Sequence, residues 1–388
     1  MTVAYPFVQV TIDTSGLQPE AERSPGVIAV VGKGTGPAAN NNLPIVVATP
    51  QDASDNFAKV VNNVVQDSAL SGSLKLAFEQ DPQPAKVYGV QINGNDYASG
   101  LAALEAADDV TMVSLANETD VGAAGPPPTN LLALKDHVET MSAAGHKRIG
   151  VAMIDPTVAK KATYVADVYN AVQSLKSDDG RMVMMAARGA TGDVATASMA
   201  AIAGYAPQAS MVLKPIRGIS IPKASQYGPA EIKGLTDNDN NINPVIDPDL
   251  IPGTLLYFAE GRTFSADPER EYIDIVRVLD QVDFDLKAGL IGVIGDARIT
   301  KFGLTSVKIR TEGILRQLLD QAMIDDFHVD IPVLDILNTA TTSWSAGDQK
   351  TVSDARLSRA VDMFVSITYG PAASLLRVIL AVAAVPTS

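Results

Sequence analysis

Apolar positions follow two rhythms along this chain. Val27 to Val31 is an unbroken apolar run. Lys86–Ile92, Val110–Leu115, Arg148–Ile154 and Arg181–Ala187 are similarly dense in apolar residues. Short dense runs of this kind belong to strands buried on both faces of a sheet. Between them, Tyr97–Ala107, Thr129–Ala144, Ala159–Leu175 and the alanine-rich Val194–Ala206 carry helical spacing. Strand and helix in alternation predict an α/β domain, a doubly wound and mainly parallel sheet with helices on both faces. Gly122–Pro128 ends in three consecutive prolines and reads as a surface loop between two such units.

The rhythm changes between Pro215 and Leu250, where the polar run Thr236–Asn241 leads to Pro244. Beyond it, Glu269–Leu279 and Lys308–Met323 have helical spacing, and Phe327–Val333 and Ala360–Tyr369 are strand-like. A smaller α+β C-terminal domain is expected there. Each end of the chain carries an extended, β-prone arm. In Tyr5–Asp13 the residues Val8, Val10 and Ile12 alternate along one strand face, and Thr14–Pro25 is a polar tether. Ser374–Val385 is apolar on both faces. The expected division is 1–22 (arm), 23–225 (α/β domain), 226–370 (C-terminal domain) and 371–388 (arm). A lone strand is unstable in water, so each arm must pair, either within its own subunit or by adding to another molecule's sheet.

Composition narrows the function. The 388 residues are 46% hydrophobic and 19% charged, the balance of a globular protein made and used in solution. Forty-four acids against 30 bases leave a net charge of −14, which disfavours gripping nucleic acid or docking on an anionic membrane. Without cysteine there are no disulfides, thiolate nucleophiles or thiolate metal sites. Met1–Tyr5 lacks the basic start of a signal peptide, and Leu375–Val385 is too short to span a bilayer and contains Arg377.

The motifs that suggest chemistry fall short of it. Gly32-Lys33-Gly34-Thr35-Gly36 follows a strand, but the spacing fits no phosphate loop, and Pro37 and asparagines follow where a helix is required. Asp237, Asp239 and Asn241 copy half a calcium loop, with Ile242 in the glycine position and Pro248 in place of the bidentate glutamate. No GxSxG elbow exists, and His137, His146 and His328 show no triad context. No catalytic, cofactor or metal residue is expected.

Several segments in series resemble the tail sheath proteins of contractile bacteriophages, R-type pyocins and related contractile injection systems. Ser24–Gly32 is similar to the family's opening "PGV" strand. Thr35-Gly36-Pro37 with Leu43–Thr49, Asp52–Phe57, Leu74–Phe78 and Ala85–Val90 follow in family order. Gly261-Arg262-Thr263 resembles "G.RT", Tyr272–Arg277 "yi.vrR", and Val352–Arg359 "d.a.R" ahead of an apolar ending from Val361 to Val382. Val278 stands where the family has a second arginine, and Tyr369–Ala372 only approximates "aGAI".

The resemblance implies a structural subunit, not an enzyme, which polymerises with copies of itself around an inner tail tube protein. Baseplate and terminator or cap proteins would be its other partners, with no cofactor, nucleic acid or membrane. It would act in a virion tail or assembled injection particle, after assembly in the host cytoplasm, contracting to drive the tube through a target envelope. Val8, Val10, Ile12, Val378, Leu380 and Val382 would be donated strand faces, hinged on the Thr14–Pro25 and Gly370–Ala372 tethers. Phe327, Val329, Ile331, Val361, Phe364 and Ile367 would receive them. Arg310, Arg316 and Asp320 are candidates for touching the tube, with a plain solvated helix face as the alternative. The α/β domain would face outward. An α/β enzyme of unrecognised type and a non-contractile coat or adaptor protein are the competing readings.

Overall fold

The computed structural model describes residues 24–120, 128–237, 240–293 and 295–371. Its first strand, β1 (Val27–Lys33), is buried at six of seven positions, as its apolar run predicts. In chain order there follow β2 (Pro44–Val47), α1 (Pro50–Phe57), β3 (Lys59–Val61), β4 (Val64–Gln66), α2 (Ala69–Phe78) and β5 (Lys86–Ile92). Then come α3 (Tyr97–Ala103), β6 (Met112–Leu115), α4 (Thr129–Ala143), β7 (Ile149–Met153), α5 (Tyr164–Val172), β8 (Met182–Ala186) and α6 (Val194–Gly204). The sheet is completed by β9 (Pro215–Ile216), β10 (Ile242–Ile246) and β11 (Leu256–Phe258), with α7 (Pro229–Thr236) before β10.

Among the described residues these strands form one nine-stranded sheet, ordered β2-β5-β1-β6-β7-β8-β10-β11-β9. The six strands from β5 to β10 are parallel, with Ile28 level with Val87 on one side and Met112 on the other. Antiparallel strands flank them: β2 on one edge, β11 and β9 on the other. Each face has its own apolar core. Residues of α1, α2 and α6 cover one, and residues of α3, α4, α5 and α7 cover the other. The fold is therefore the doubly wound α/β architecture the alternation predicts. Helix α6 is buried along Val194–Ala203, and its alanines let it lie close against the strands.

The second part of the chain holds α8 (Ile273–Ile291), α9 (Lys301–Asp320), β12 (Asp326–Asp330), α10 (Pro332–Asn338), α11 (Ala346–Ser358) and β13 (Phe364–Thr368). The described chain divides into two compact units. The larger comprises residues 24–281, 322–326 and 368–371; the smaller comprises 282–321 and 327–367. The smaller unit's core is Leu304, Ile331, Val333, Leu334, Val352 and Ala355, drawn mainly from α9, α10 and α11.

Several expectations are corrected. The sheet does not stop near residue 225, because β10 and β11 lie beyond that point and pair with it. Asn243 ties this extension down: its side-chain amide donates to the carbonyls of Met184 (3.2 Å) and Arg262 (2.7 Å), and its Oδ1 accepts from the Arg262 amide (2.8 Å). The helix expected at Glu269–Leu279 starts at Ile273 and runs to Ile291. The strand expected at Phe327–Val333 stops at Asp330, because Pro332 opens α10 with Ile331 as its N-cap.

The segments that resemble sheath motifs are structural clasps. Thr263 N–H donates to Glu271 O (2.8 Å), Ile273 N–H to Gly261 O (3.0 Å), and the Arg262 guanidinium to Glu271. Together these fix the start of α8. Buried Arg277 donates to the carbonyls of Tyr205 (2.8 Å) and Ala206 (3.3 Å), and burial lowers its guanidinium pKa to about 10. A Cβ on Gly26 would stand 2.6 Å from the Ala203 carbonyl oxygen, so only glycine fits there.

Candidate assembly interface

In the smaller part of the chain, β12 and β13 form a two-stranded sheet of their own, with no third strand among the described residues. Along β13 the exposure alternates: Phe364, Ser366 and Thr368 face solvent, while Val365 and Ile367 are half-buried. On β12 Asp326 and His328 are exposed and Val329 is buried. A two-stranded ribbon has two outer edges to which a further strand can add. Two-stranded sheets of this kind are marginal in water unless something adds to them.

Of the six residues expected to receive a strand, Phe327 and Val329 lie in β12 and Phe364 and Ile367 in β13. Ile331 and Val361 lie outside the strands and pack on the small core instead. Phe364 points away from the face that carries Ile367 and is 60% exposed. The donated residues Val8, Val10, Ile12, Val378, Leu380 and Val382 lie outside the described residues.

Of the expected C-terminal tether Gly370–Ala372, Ala372 lies outside the described residues, and Gly370 is held in place. Asp325 N–H donates to Thr368 O (2.8 Å), and Gly370 N–H donates to the Asp325 carboxylate. The Tyr369 hydroxyl lies 2.7 Å from Asp274 Oδ2 and 3.3 Å from Gln208 O. Burial and the Asp274 carboxylate push that hydroxyl's pKa well above the usual tyrosine range. Thr368, Tyr369 and Gly370 are thus held within the larger unit, which no sequence motif signals.

Helix α9 buries Leu304, Thr311, Leu315 and Leu318 and exposes Arg310, Arg316 and Asp320. Arg310 already has a structural task, since its Nε donates to Gly289 O of α8 (2.6 Å). Arg316 and Asp320 stand on the solvated face.

The sites that enzymes of this topology use are occupied by structural bonds. Ligands of doubly wound sheets bind beyond the carboxyl ends of the strands, where the strand order reverses. Here that point lies between β1 and β6. A Cβ on Gly32 would stand 2.3 Å from the Ala116 Cβ. Asp193, 3% exposed, accepts from Ser73 Oγ (2.6 Å), Thr196 Oγ1 (2.6 Å) and Asn117 N–H (2.8 Å). In the glycine loop, Thr35 N–H is taken by Phe57 O (2.9 Å) and Gly36 N–H by Gln91 Oε1 (3.0 Å). His137 Nε2 faces the buried Arg148 guanidinium at 2.8 Å. Burial and that cation push the imidazole down to about 4. His146 lies 3.5 Å from Asp108, and His328 is exposed on β12. Asp239 lies outside the described residues, among which no cluster of metal-ligating side chains occurs. No helix among them is long and apolar enough to cross a membrane.

No family model matches the sequence, and no curated protein matches it. Solved structures do match. The contracted sheath complex of an extracellular contractile injection system superposes with a TM-score of 0.68 at 13% identity, covering 98% of this chain and 98% of that one. The six-fold symmetrised baseplate of the anti-feeding prophage contains a chain matching at 0.65 and 15% identity, covering 98% and 99%. The sheath tail protein of Desulfitobacterium hafniense matches at 0.58 and 10%, covering 84% and 93%. The chain therefore has the fold of contractile sheath subunits, in agreement with the resemblance of its motifs.

Proposed function

We propose that this chain is the structural subunit of a contractile sheath. The observation that carries the reading is the near-complete superposition, 98% of both chains, on a subunit of a contracted sheath. The two-stranded β12–β13 ribbon supports it, because strands added from neighbouring copies would satisfy its outer edges. The donors would be the segments around Val8–Ile12 and Val378–Val382, received beside Phe327, Val329, Phe364 and Ile367. Ile331 and Val361 would support the ribbon from below.

Main-chain ladder bonds across subunits persist while rigid bodies turn about the tethers, so a lattice joined this way changes shape without coming apart. A contact that does not close on itself yields an open filament. Extra burial in the shorter lattice, repeated in every subunit, would supply the work of contraction. Arg316 and Asp320 on α9 would face the inner tube, and baseplate and cap proteins would seed and end the polymer. The subunit itself would need no cofactor and perform no catalysis. Its place would be a virion tail or an injection particle assembled in the host cytoplasm.

Electron microscopy and sedimentation of purified chain test this reading. Tubes are expected from the full chain, and folded, non-polymerising subunits from a chain lacking residues 1–22. Discrete full-length particles, or unaltered tubes from the truncation, would refute it.

A further inference from the structure

The larger unit carries a second, separate piece of unpartnered sheet. Strands β3 and β4 form a hairpin, Lys59 opposite Gln66, Val60 opposite Val65 and Val61 opposite Val64. Asn62 and Asn63 make its two-residue turn in the left-handed region, φ 52° and 60°. This is the turn that favours a tight, right-twisted ribbon. Within Lys59–Gln66 only Val61 is half-buried and the rest is exposed; Val60 is 63% exposed, Val64 61% and Val65 44%. No third strand joins it among the described residues. The ribbon thus presents open edges and exposed valines together, a combination that soluble proteins ordinarily blunt with charge.

We infer that the β3–β4 hairpin is a contact between copies of this chain, its open edge docking on a neighbouring subunit. The inference rests on the assembly reading and adds a second joint to it, distinct from the β12–β13 ribbon. Charge selects the occupant. The chain carries 14 more acids than bases, so two copies repel over most of their surfaces. Lys59–Gln66 holds no acid and one base, Lys59, so an acidic copy approaches there at less electrostatic cost than at the chain's acidic surfaces. The neighbouring Asp67 is already neutralised by Lys75 at 2.7 Å. A lipid surface fits poorly: the hairpin has no aromatic residue, and open backbone edges are not tolerated in hydrocarbon.

The absence of cysteine provides a clean probe. In Val64→Cys the only thiol lies on the hairpin, and its alkylation rate reports access. The rate is expected to fall at least about tenfold on passing from free subunit to polymer. Equal reactivity in both states overturns the inference. So does protection in both, as cover by the chain's own terminal segments would give. Protection that appears only when other particle components are added overturns it as well. The double variant Val60→Lys, Val64→Lys should raise the critical concentration for assembly about tenfold. Its subunit melting should not change, because both positions are solvated. A full-length chain that never polymerises removes the sheath reading and this contact with it. Polymerisation of the Val64→Cys chain with its thiol still reactive removes the contact alone.

Discussion

The nine-stranded sheet and the β12–β13 ribbon solve the same problem in opposite ways. In the large sheet each parallel strand has a partner on both sides, and helices cover both faces. Its edges are blunted by proline: β2 begins with Pro44, and β9 is two residues long and begins with Pro215. The ribbon has neither protection. Its outer face is polar apart from Phe364, no third strand joins it among the described residues, and the core beside it is small. The comparison teaches where self-sufficiency ends. A sheet whose strands are paired on both sides and covered on both faces is complete in itself, and the ribbon is the part that, in the proposed assembly, would receive strands from neighbours. Contractile assemblies need both, bodies that keep their shape and joints that hold while the bodies turn.

Four substitutions or conditions would break or sharpen this contrast. The largest effect on subunit stability belongs to the closed body. Arg148 is fully buried and donates to the carbonyls of Leu104 (2.9 Å) and Ala107 (2.7 Å) and to His137. Arg148→Ala strands those acceptors and should cost about 3–5 kcal/mol, read from denaturant unfolding. In the small core, Leu334→Ala should cost about 2–4 kcal/mol. Calorimetry should show a lowered transition for the smaller unit while that of the α/β body stays in place. A single shared transition would show that the two cores melt together.

Acid gives the next effect. A free imidazole titrates near pH 6.5, whereas His137, buried beside Arg148, is pushed down to about 4. Between those values the unfolded chain binds a proton that the folded chain does not. Stability is therefore full above pH 6.5 and declines as the pH falls through this window, by roughly 2–3 kcal/mol at pH 4. His137→Gln should flatten that part of the stability–pH curve. The smallest effect is expected on the ribbon's open side. Phe364→Asp should leave subunit stability within about 0.5 kcal/mol, because the side chain already faces solvent. Sedimentation should nevertheless show weakened polymerisation. An unchanged polymer would remove this face from the joint.

How much of this is legible in the sequence differs between the two regions for a physical reason. A strand buried on both faces must be apolar at every position, so β1 and β5 stand out from composition alone, and β5 is found at its predicted ends, Lys86 and Ile92. Helix α8 is longer than its apolar start suggests, because Asp280, Asp283, Asp285 and Lys287 read as a helix end although they lie along a half-exposed helix. The edge strand β2 is visible only as a family segment. The Asn62–Asn63 hairpin carries four valines but no alternation of apolar and polar positions, because its short strands bury almost nothing.

The candidate interface is half visible. Alternation marks Phe327, Val329 and Ile367, but the N-cap role of Ile331 follows from Pro332, and the exposure of Phe364 follows from register. The pinning of Tyr369 depends on Asp274, far away in sequence, so no local pattern encodes it. Hydrophobic periodicity is a property of neighbouring residues, and it alone determines the strand and helix alternation and the doubly wound class. Which strands join one sheet and how Tyr369 is held depend on groups brought together from distant parts of the chain. Only folding in three dimensions decides those.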